Sequence, residues 1–294
     1  MFVCLCCRRP IFLLEYLNMN GLEIVLGIIS LFLGALSGHY LYTNSGFKLI
    51  WIAILIIPII YILLYGLWLI IIFIWGKLLN TNKEIKKFSK FFYHIIYVTD
   101  STLLHILNIG IKLINYDKMP KNHDYVLVCN HVSNFDQMVL IACLKKENQP
   151  MAWITKPQNM KFPFAGPFVH HAGFIPIDRD NPIEGMKSIK KGVEFLNTHQ
   201  CAMGICPEGT RNKSEKPLLE FHPGSFKLAM WAKVPIVVVA LKNTKSIKKR
   251  APFKHTRVEV NIVDVINPSD YDGKKTIEIS SKAREALLNE LERK

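Results

Sequence analysis

From Leu49 to Gly76 the chain runs 28 residues without a charged side chain, dominated by Ile, Leu and Trp. As a helix this run is about 42 Å long at 1.5 Å per residue, more than the ~30 Å hydrocarbon core of a bilayer. In lipid every backbone N–H and C=O must be bonded within the chain, so such a run is helical and membrane-embedded. Pro58 is placed to kink it, and Trp51, Tyr61, Tyr65, Trp68 and Trp75 include candidates for interfacial anchors. Its length and position exclude a signal peptide. A preceding stretch, Ile24 to Phe47, also lacks Asp, Glu, Lys and Arg, although only Ile24 to Leu36 is densely apolar. The expected unit is therefore a transmembrane or membrane-embedded helical hairpin over residues 21–80, with one or two spans.

The flanks set its orientation. Lys77, Lys83, Lys86, Lys87 and Lys90 follow the long run, whereas the connection between the two stretches carries only Lys48 and His39. The positive-inside rule then predicts that everything from residue 77 onward lies on the cytoplasmic side of the cell membrane. Arg8 and Arg9 agree with this if the first stretch also crosses. Residues 1–20 show no periodicity. Lipidation of Cys4, Cys6 or Cys7 has no support beyond their presence, and the segment is given no role.

A formal net charge of +14 points to anionic partners: acidic lipid, phosphorylated small molecules or nucleic acid. None of the seven cysteines is arranged as paired CxxC sites with zinc spacing. Cys129, Cys201 and Cys206 fall in apolar strand-like runs, where a thiol acts as a small hydrophobe. A reducing compartment is expected, with no disulfide framework, no metal and no cofactor.

Lys83 to Tyr116 reads as helical and aromatic-rich. Its interleaved lysines suggest amphipathic interfacial helices over 81–119, and packing on the globular domain is equally open. From Asp124 the pattern changes to alternating strands and helices. Strands are predicted at 124–129, 151–155, 174–178, 201–206, 235–241 and 256–265, with helices at 136–145, 182–198, 224–233 and 274–293. Near-continuous apolar strands between helices predict an α/β domain over 120–294, with a mostly parallel sheet covered by helices. Within it, Lys242 to Arg257 holds seven Lys/Arg and no acid, with Phe253 among them. This run reads either as a solvated loop or as a membrane-surface contact.

The chemistry gathers at strand ends. Val128-Cys-Asn-His-Val-Ser-Asn-Phe-Asp136 places His131 and Asp136 on a strand-to-helix turn, where open α/β sheets hold reactive groups. The Asp carboxylate can fold back onto one imidazole nitrogen and leave the other as a proton acceptor. Asn130 and Ser133 are available to fix the turn through side chain-to-backbone bonds. Gly173-Phe-Ile-Pro-Ile-Asp-Arg179 and Cys206-Pro-Glu-Gly-Thr-Arg211 each end a predicted strand on a guanidinium, which grips phosphate oxygens at two points. A structural ion pair is the plainer role for either arginine. His170 and His171, adjacent on an expected strand, would point to opposite faces and share no metal.

Taken in order, Asn130-His131-x-Ser133-x-x-Asp136, Gly173 to Arg179, Glu208-Gly-Thr-Arg211 and Val234-Pro-Ile-Val-Val-Val-Ala-Leu241 resemble the four motif blocks of the glycerolipid acyltransferase family. The resemblance covers roughly residues 120–265, and within the family the chain looks most like the members that acylate lysophosphatidate. It implies that His131 is a general base and Asp136 its orienting partner. It further implies that Arg179, Glu208, Gly209, Thr210 and Arg211 bind the acceptor's glycerol phosphate. Lys156 stands where the family often has a basic residue, although Pro157-Gln158 departs from the commoner context. The family frequently has a Lys shortly before the Gly matching Gly224. Here His222 and Pro223 occupy those places, so no ligand contact is carried onto them.

The implied partners are a lysophosphatidate acceptor, an acyl-CoA or acyl-carrier-protein donor and membrane lipid, with no nucleic acid. The implied reaction forms phosphatidic acid. No Gly-x-Ser-x-Gly nucleophile elbow is present, so direct transfer is expected. Three other readings stay open. One is the same chemistry on another acceptor: glycerol 3-phosphate, another lysophospholipid or an aminolipid. The second is a hydrolase with His131 and Asp136 as metal ligands, for which no third ligand is evident. The last is a basic membrane-surface binder without catalysis.

Overall fold

The computed structural model describes residues 19–45, 50–122, 124–146 and 149–293. The unassigned N-terminal segment, apart from Met19 and Asn20, lies outside them. The chain divides into two compact units, Met1–Ile71 and Ile72–Lys294.

In the first unit, helix α1 (Gly21–Ser45) starts with a reciprocal cap. Asn20 N–H donates to Glu23 Oε2 at 2.8 Å, and Glu23 N–H donates to Asn20 Oδ1 at 3.0 Å. Helix α2 (Ile50–Leu78) carries Pro58 inside it. The two helices meet where Gly34 faces the Ile57 side chain so closely that a Cβ on residue 34 would overlap it. Small residues at such a crossing let helices approach without a hydrophobic drive from water. Both helices are long and apolar enough to cross a membrane. Almost none of the apolar stretch of α2 is buried, unlike that of a core helix.

The second unit is built on a seven-stranded sheet in the order β1-β7-β6-β2-β5-β3-β4. Its strands are β1 (Ile109–Ile114), β2 (Val126–Cys129), β3 (Met151–Thr155), β4 (Ile175–Pro176), β5 (Ala202–Ile205), β6 (Ile236–Lys242) and β7 (Thr256–Ile266). Every neighbouring pair is parallel except β6–β7. All residues of β2, β3 and β5 are buried. Successive side chains on a strand face opposite sides, so both faces of the sheet are covered. The covering helices form two packed groups. In one, α3 (Lys90–Ile106) packs on α4 (Phe135–Lys146) and on α6 (Gly166–Ala172), with α5 (Pro157–Met160) beside α6. In the other, α7 (Pro182–Leu196) packs on α8 (Lys227–Ala232), while α9 (Thr276–Glu292) lies on β6 and β7.

Two expectations about local structure are corrected. The helical region expected to run to Tyr116 stops at Ile106, and Asn108 takes a left-handed φ of 57°. There the chain turns into β1, which pairs in parallel with β7, Ile111 against Val258. The sheet therefore starts before residue 120. His170 and His171 lie on helix α6, not on a strand. Among the described residues no group of three or more His, Cys, Asp or Glu could hold a metal.

Candidate active site

Strand β2 is central and fully buried, and its carboxyl end feeds the turn that carries His131. Asn130, itself buried, locks that end to β6. Its Nδ2 donates to the Leu241 carbonyl at 3.0 Å, and its Oδ1 accepts from Leu241 N–H at 2.8 Å. Two bonds from one amide to one backbone residue fix the level at which the chain leaves the sheet.

Asp136 lies in the first turn of α4 and folds back over the preceding turn. Its Oδ2 accepts from Val132 N–H and Ser133 N–H, each at 2.8 Å, and pairs with His131 Nδ1 at 2.8 Å. Ser133 Oγ accepts from Phe135 N–H at 3.2 Å. The carboxylate is fully buried, and its second oxygen has no hydrogen-bond partner among the described residues. A buried carboxylate is uncomfortable unless its charge is matched, and the nearest group able to match it is the imidazole. Burial alone would lower the His131 pKa. The hydrogen bond that Asp136 accepts from the ring, with the nearby Cys206, Asp136 and Glu208, outweighs burial and holds it above the ordinary 6.5. The His131 side chain keeps 22% of its surface accessible, so the ring is both gripped and reachable.

Glu208 braces the same turn from the turn that follows β5. Its Oε1 accepts from His131 N–H at 2.6 Å and its Oε2 from Leu219 N–H at 2.9 Å. Burial pushes its pKa up, and the two N–H groups work against that shift. With the side chain only 3% exposed, both oxygens are occupied by the fold. The His131 carbonyl in turn accepts from Asn212 N–H at 2.6 Å. Beneath the turn, the Cys129 and Cys206 sulfurs lie 3.7 Å apart.

Glu208→Gln offers an acceptor to only one of these N–H groups and turns an N–H donor toward the other. The expected cost is about 1–3 kcal/mol for an unsatisfied buried donor. It would be read as a lower thermal midpoint of the solubilised protein. An unchanged midpoint would show that the two bonds do not hold the turn.

Gly209 follows with a φ of 72°, in the left-handed region. A Cβ there would lie 2.7 Å from Arg179 Nη1 and 2.8 Å from His222 Nε2. The glycine thus supplies both the turn and the room for two cationic or polar side chains to converge. Among the described residues neither Arg179 nor Arg211 is paired with a carboxylate, so the ion-pair role weighed for them has no partner here. Thr210 and Arg211 are exposed on the same turn, just beyond Gly209. Lys156 is exposed at the N-cap of α5, after β3.

The fold thus brings His131, Asp136 and Glu208 into one bonded cluster, with Arg179 at Gly209, and leaves Lys156 outside that network. It also adds residues that the motif blocks did not single out for the site: Asn212, His222 and the backbone of Leu241. Asn212 and Leu241 act through backbone atoms, for which no side-chain signal exists. His222 stands in the place where a lysine is frequent, and that substitution was the available clue.

A His–carboxylate pair thus sits at the carboxyl end of a parallel strand of an α/β domain, with arginines on the adjoining turns that pair with no carboxylate among the described residues. Residues 110–242 match the family model described as Acyltransferase. The chain is 28% identical over 207 residues to the 1-acyl-sn-glycerol-3-phosphate acyltransferase of Saccharomyces cerevisiae, covering 69% of this chain and 64% of the relative. It is 27% identical over 189 residues to the Bacillus subtilis protein of the same name, covering 63% and 89%. It therefore spans a little under two thirds of the yeast relative's length. The fold is shared with the crystal structure of the 1-acyl-sn-glycerophosphate acyltransferase of Thermotoga maritima. The TM-score is 0.57 at 16% identity, covering 92% of this chain and 96% of that one.

Proposed function

We propose that this protein transfers an acyl chain from an acyl thioester to the sn-2 hydroxyl of 1-acylglycerol 3-phosphate, forming phosphatidic acid. The observation that carries this reading is the 2.8 Å contact of His131 Nδ1 with a buried carboxylate while the ring stays accessible. A glycerol hydroxyl is a poor nucleophile near neutral pH and must lose its proton as it attacks. In this reading Asp136 holds the Nδ1–H tautomer, and Nε2 takes the hydroxyl proton as the oxygen bonds to the thioester carbonyl carbon. The C–S bond then breaks and the thiolate of CoA or acyl-carrier protein leaves with that proton. The thioester is already activated, so neither a metal nor a covalent acyl-enzyme is required.

Arg179 and Arg211 are assigned to the acceptor phosphate, on turns that flank Gly209. Thr210 and Lys156 are kept as exposed polar groups available to the acceptor. Glu208 is assigned a positioning role, because both of its oxygens are engaged by backbone N–H groups. The domain division also carries over as a proposal: a membrane hairpin over 21–80 followed by the catalytic unit, which acts at the cytoplasmic face. Lys77, Lys83, Lys86, Lys87 and Lys90 support that orientation.

The test compares lysophosphatidate with monoacylglycerol, which offers a hydroxyl but no phosphate, by thiol release from acyl-CoA and from acyl-carrier protein. Each charge-assisted bond to phosphate contributes on the order of 1.5–3 kcal/mol. Arg179→Ala and Arg211→Ala should each lower kcat/KM for lysophosphatidate about tenfold to a hundredfold and narrow the preference for the phosphate-bearing lipid. Lys should rescue neither fully, since it offers a point charge and no fork. No lysolipid-dependent thiol release with either donor would overturn the reaction. An unchanged preference in both alanine variants would remove the arginines from the acceptor site.

A further inference from the structure

The charged run Lys242 to Arg257 has no part in the site described above. It joins β6 to β7, and β6 runs parallel to β2, so it leaves the sheet at the same end as His131. Leu241, one residue before the run, is the residue that Asn130 clamps. The segment is braced. Thr244 and Ile247 are fully buried, and Arg250 Nε and Nη2 donate to the His255 carbonyl at 3.3 and 2.7 Å. His255 Nδ1 meets Asn108 Oδ1 at 3.0 Å, and Asn243 Nδ2 donates to the Arg257 carbonyl at 3.2 Å. On this frame Phe253 is held 93% exposed, with Lys248, Lys249, Arg250 and Lys254 exposed around it. A single exposed aromatic is ordinary. A braced turn that presents one among four cations, with no acid in the run, has the chemistry of an anionic lipid interface, where the ring enters the headgroup layer and the cations meet phosphates.

A second observation concerns the other flank. Strand β3 also leaves the sheet at this end, and the turn beyond α5 exposes Phe162 and Phe164 by 57% and 42%. The Phe164 ring lies 5.3 Å from Phe73, on the last turns of the apolar helix α2. In the strand order, β6 and β3 stand on opposite sides of β2. The last turns of that helix, residues 72–78, which belong to the same unit as the sheet, therefore lie toward one side of the His131 strand, and the basic turn stands on the other. We infer that the turn Ile247–Lys254 is a second foot, which docks on an anionic phospholipid surface and holds the His131 end of the sheet against the bilayer. One anchor leaves a domain able to swing about its attachment. A second, on the far side of the catalytic strand, fixes which end faces the lipid.

The test uses the full chain in lipid nanodiscs, with a fluorine-labelled phenylalanine at residue 253. Discs of phosphatidylcholine alone are compared with discs that also contain phosphatidylglycerol. A nitroxide carried on lipid chains should broaden the residue 253 signal in the anionic discs, while a soluble paramagnetic chelate should lose access. An anionic surface favours each nearby basic residue about fivefold, so Lys248→Glu with Lys249→Glu should lower the docked-to-free ratio about 25-fold or more. The readout is position and not turnover, so His131→Ala should dock like the parent and the result stands apart from the acyl-transfer reading. Equal access of the soluble chelate in both discs would overturn the inference. So would protection of residue 253 by duplex nucleic acid but not by anionic discs.

Discussion

Replacing His131 by alanine is expected to lower turnover about 10²–10⁴-fold, the usual contribution of a positioned general base. The loss should fall on kcat, with lysophosphatidate affinity largely kept, because the imidazole takes its proton only as the bond to the acyl carbon forms. The backbone of residue 131 carries much of the local structure. Its N–H donates to Glu208 and its carbonyl accepts from Asn212, and alanine retains both bonds. The folded state should therefore survive the change, and a thermal midpoint measured beside the activity separates lost chemistry from lost structure. Near-parental turnover in a well-folded His131→Ala protein would end the general-base mechanism.

Asp136→Asn is expected to cost a similar order, about 10²–10⁴-fold, and to move the pH profile as well. A carboxylate that orients a catalytic histidine and stabilises its imidazolium has an effect of this size in other His-dependent acyl transfers. The sign of the pH shift follows from the charges. His131 must be neutral to accept a proton, so activity rises as pH climbs through its pKa. Burial lowers that pKa, and the bond to Asp136 is foremost among the influences that hold it above 6.5. With Asn in place of Asp, the acid limb of kcat/KM should move to lower pH while the plateau falls. An acid limb that stays where the parent has it would mean that Asp136 does not set the charge state of His131. The amide oxygen can still accept from Val132 and Ser133, so the turn has a means of holding its shape.

Much of this architecture is written locally. The uncharged run to Gly76 marks its helix because lipid leaves the backbone no alternative, and Ile50–Leu78 is that helix. The strands at 126–129, 151–155 and 236–242 are short β-branched or apolar runs bounded by turn residues, and the sheet they form is mostly parallel and covered by helices. His131 and Asp136 could be paired from sequence because five residues of strand-to-helix turn bring them together without help from the rest of the chain.

Other features depend on partners far away in sequence. Ile109–Ile114 follows a helix of the same aliphatic composition, and only its register against Val258 and Val260 makes it a strand. Isolated strand-forming segments gain little until a neighbour pairs with them. The resemblance assigns Glu208 to the acceptor because it sits in a motif beside Arg211. In the fold its two oxygens also accept backbone N–H groups from residues 131 and 219, which no local pattern announces. The approach of Arg179 and His222 over Gly209 likewise needs three separate turns to converge. Sequence by itself determined the membrane helix, the α/β class and the His131–Asp136 pair, because each is enforced by lipid, by hydrophobic patterning or by a short turn. The tertiary structure decided the first strand, the two backbone bonds of Glu208 and the approach of Arg179 and His222 to Gly209, because each exists only once distant segments come together.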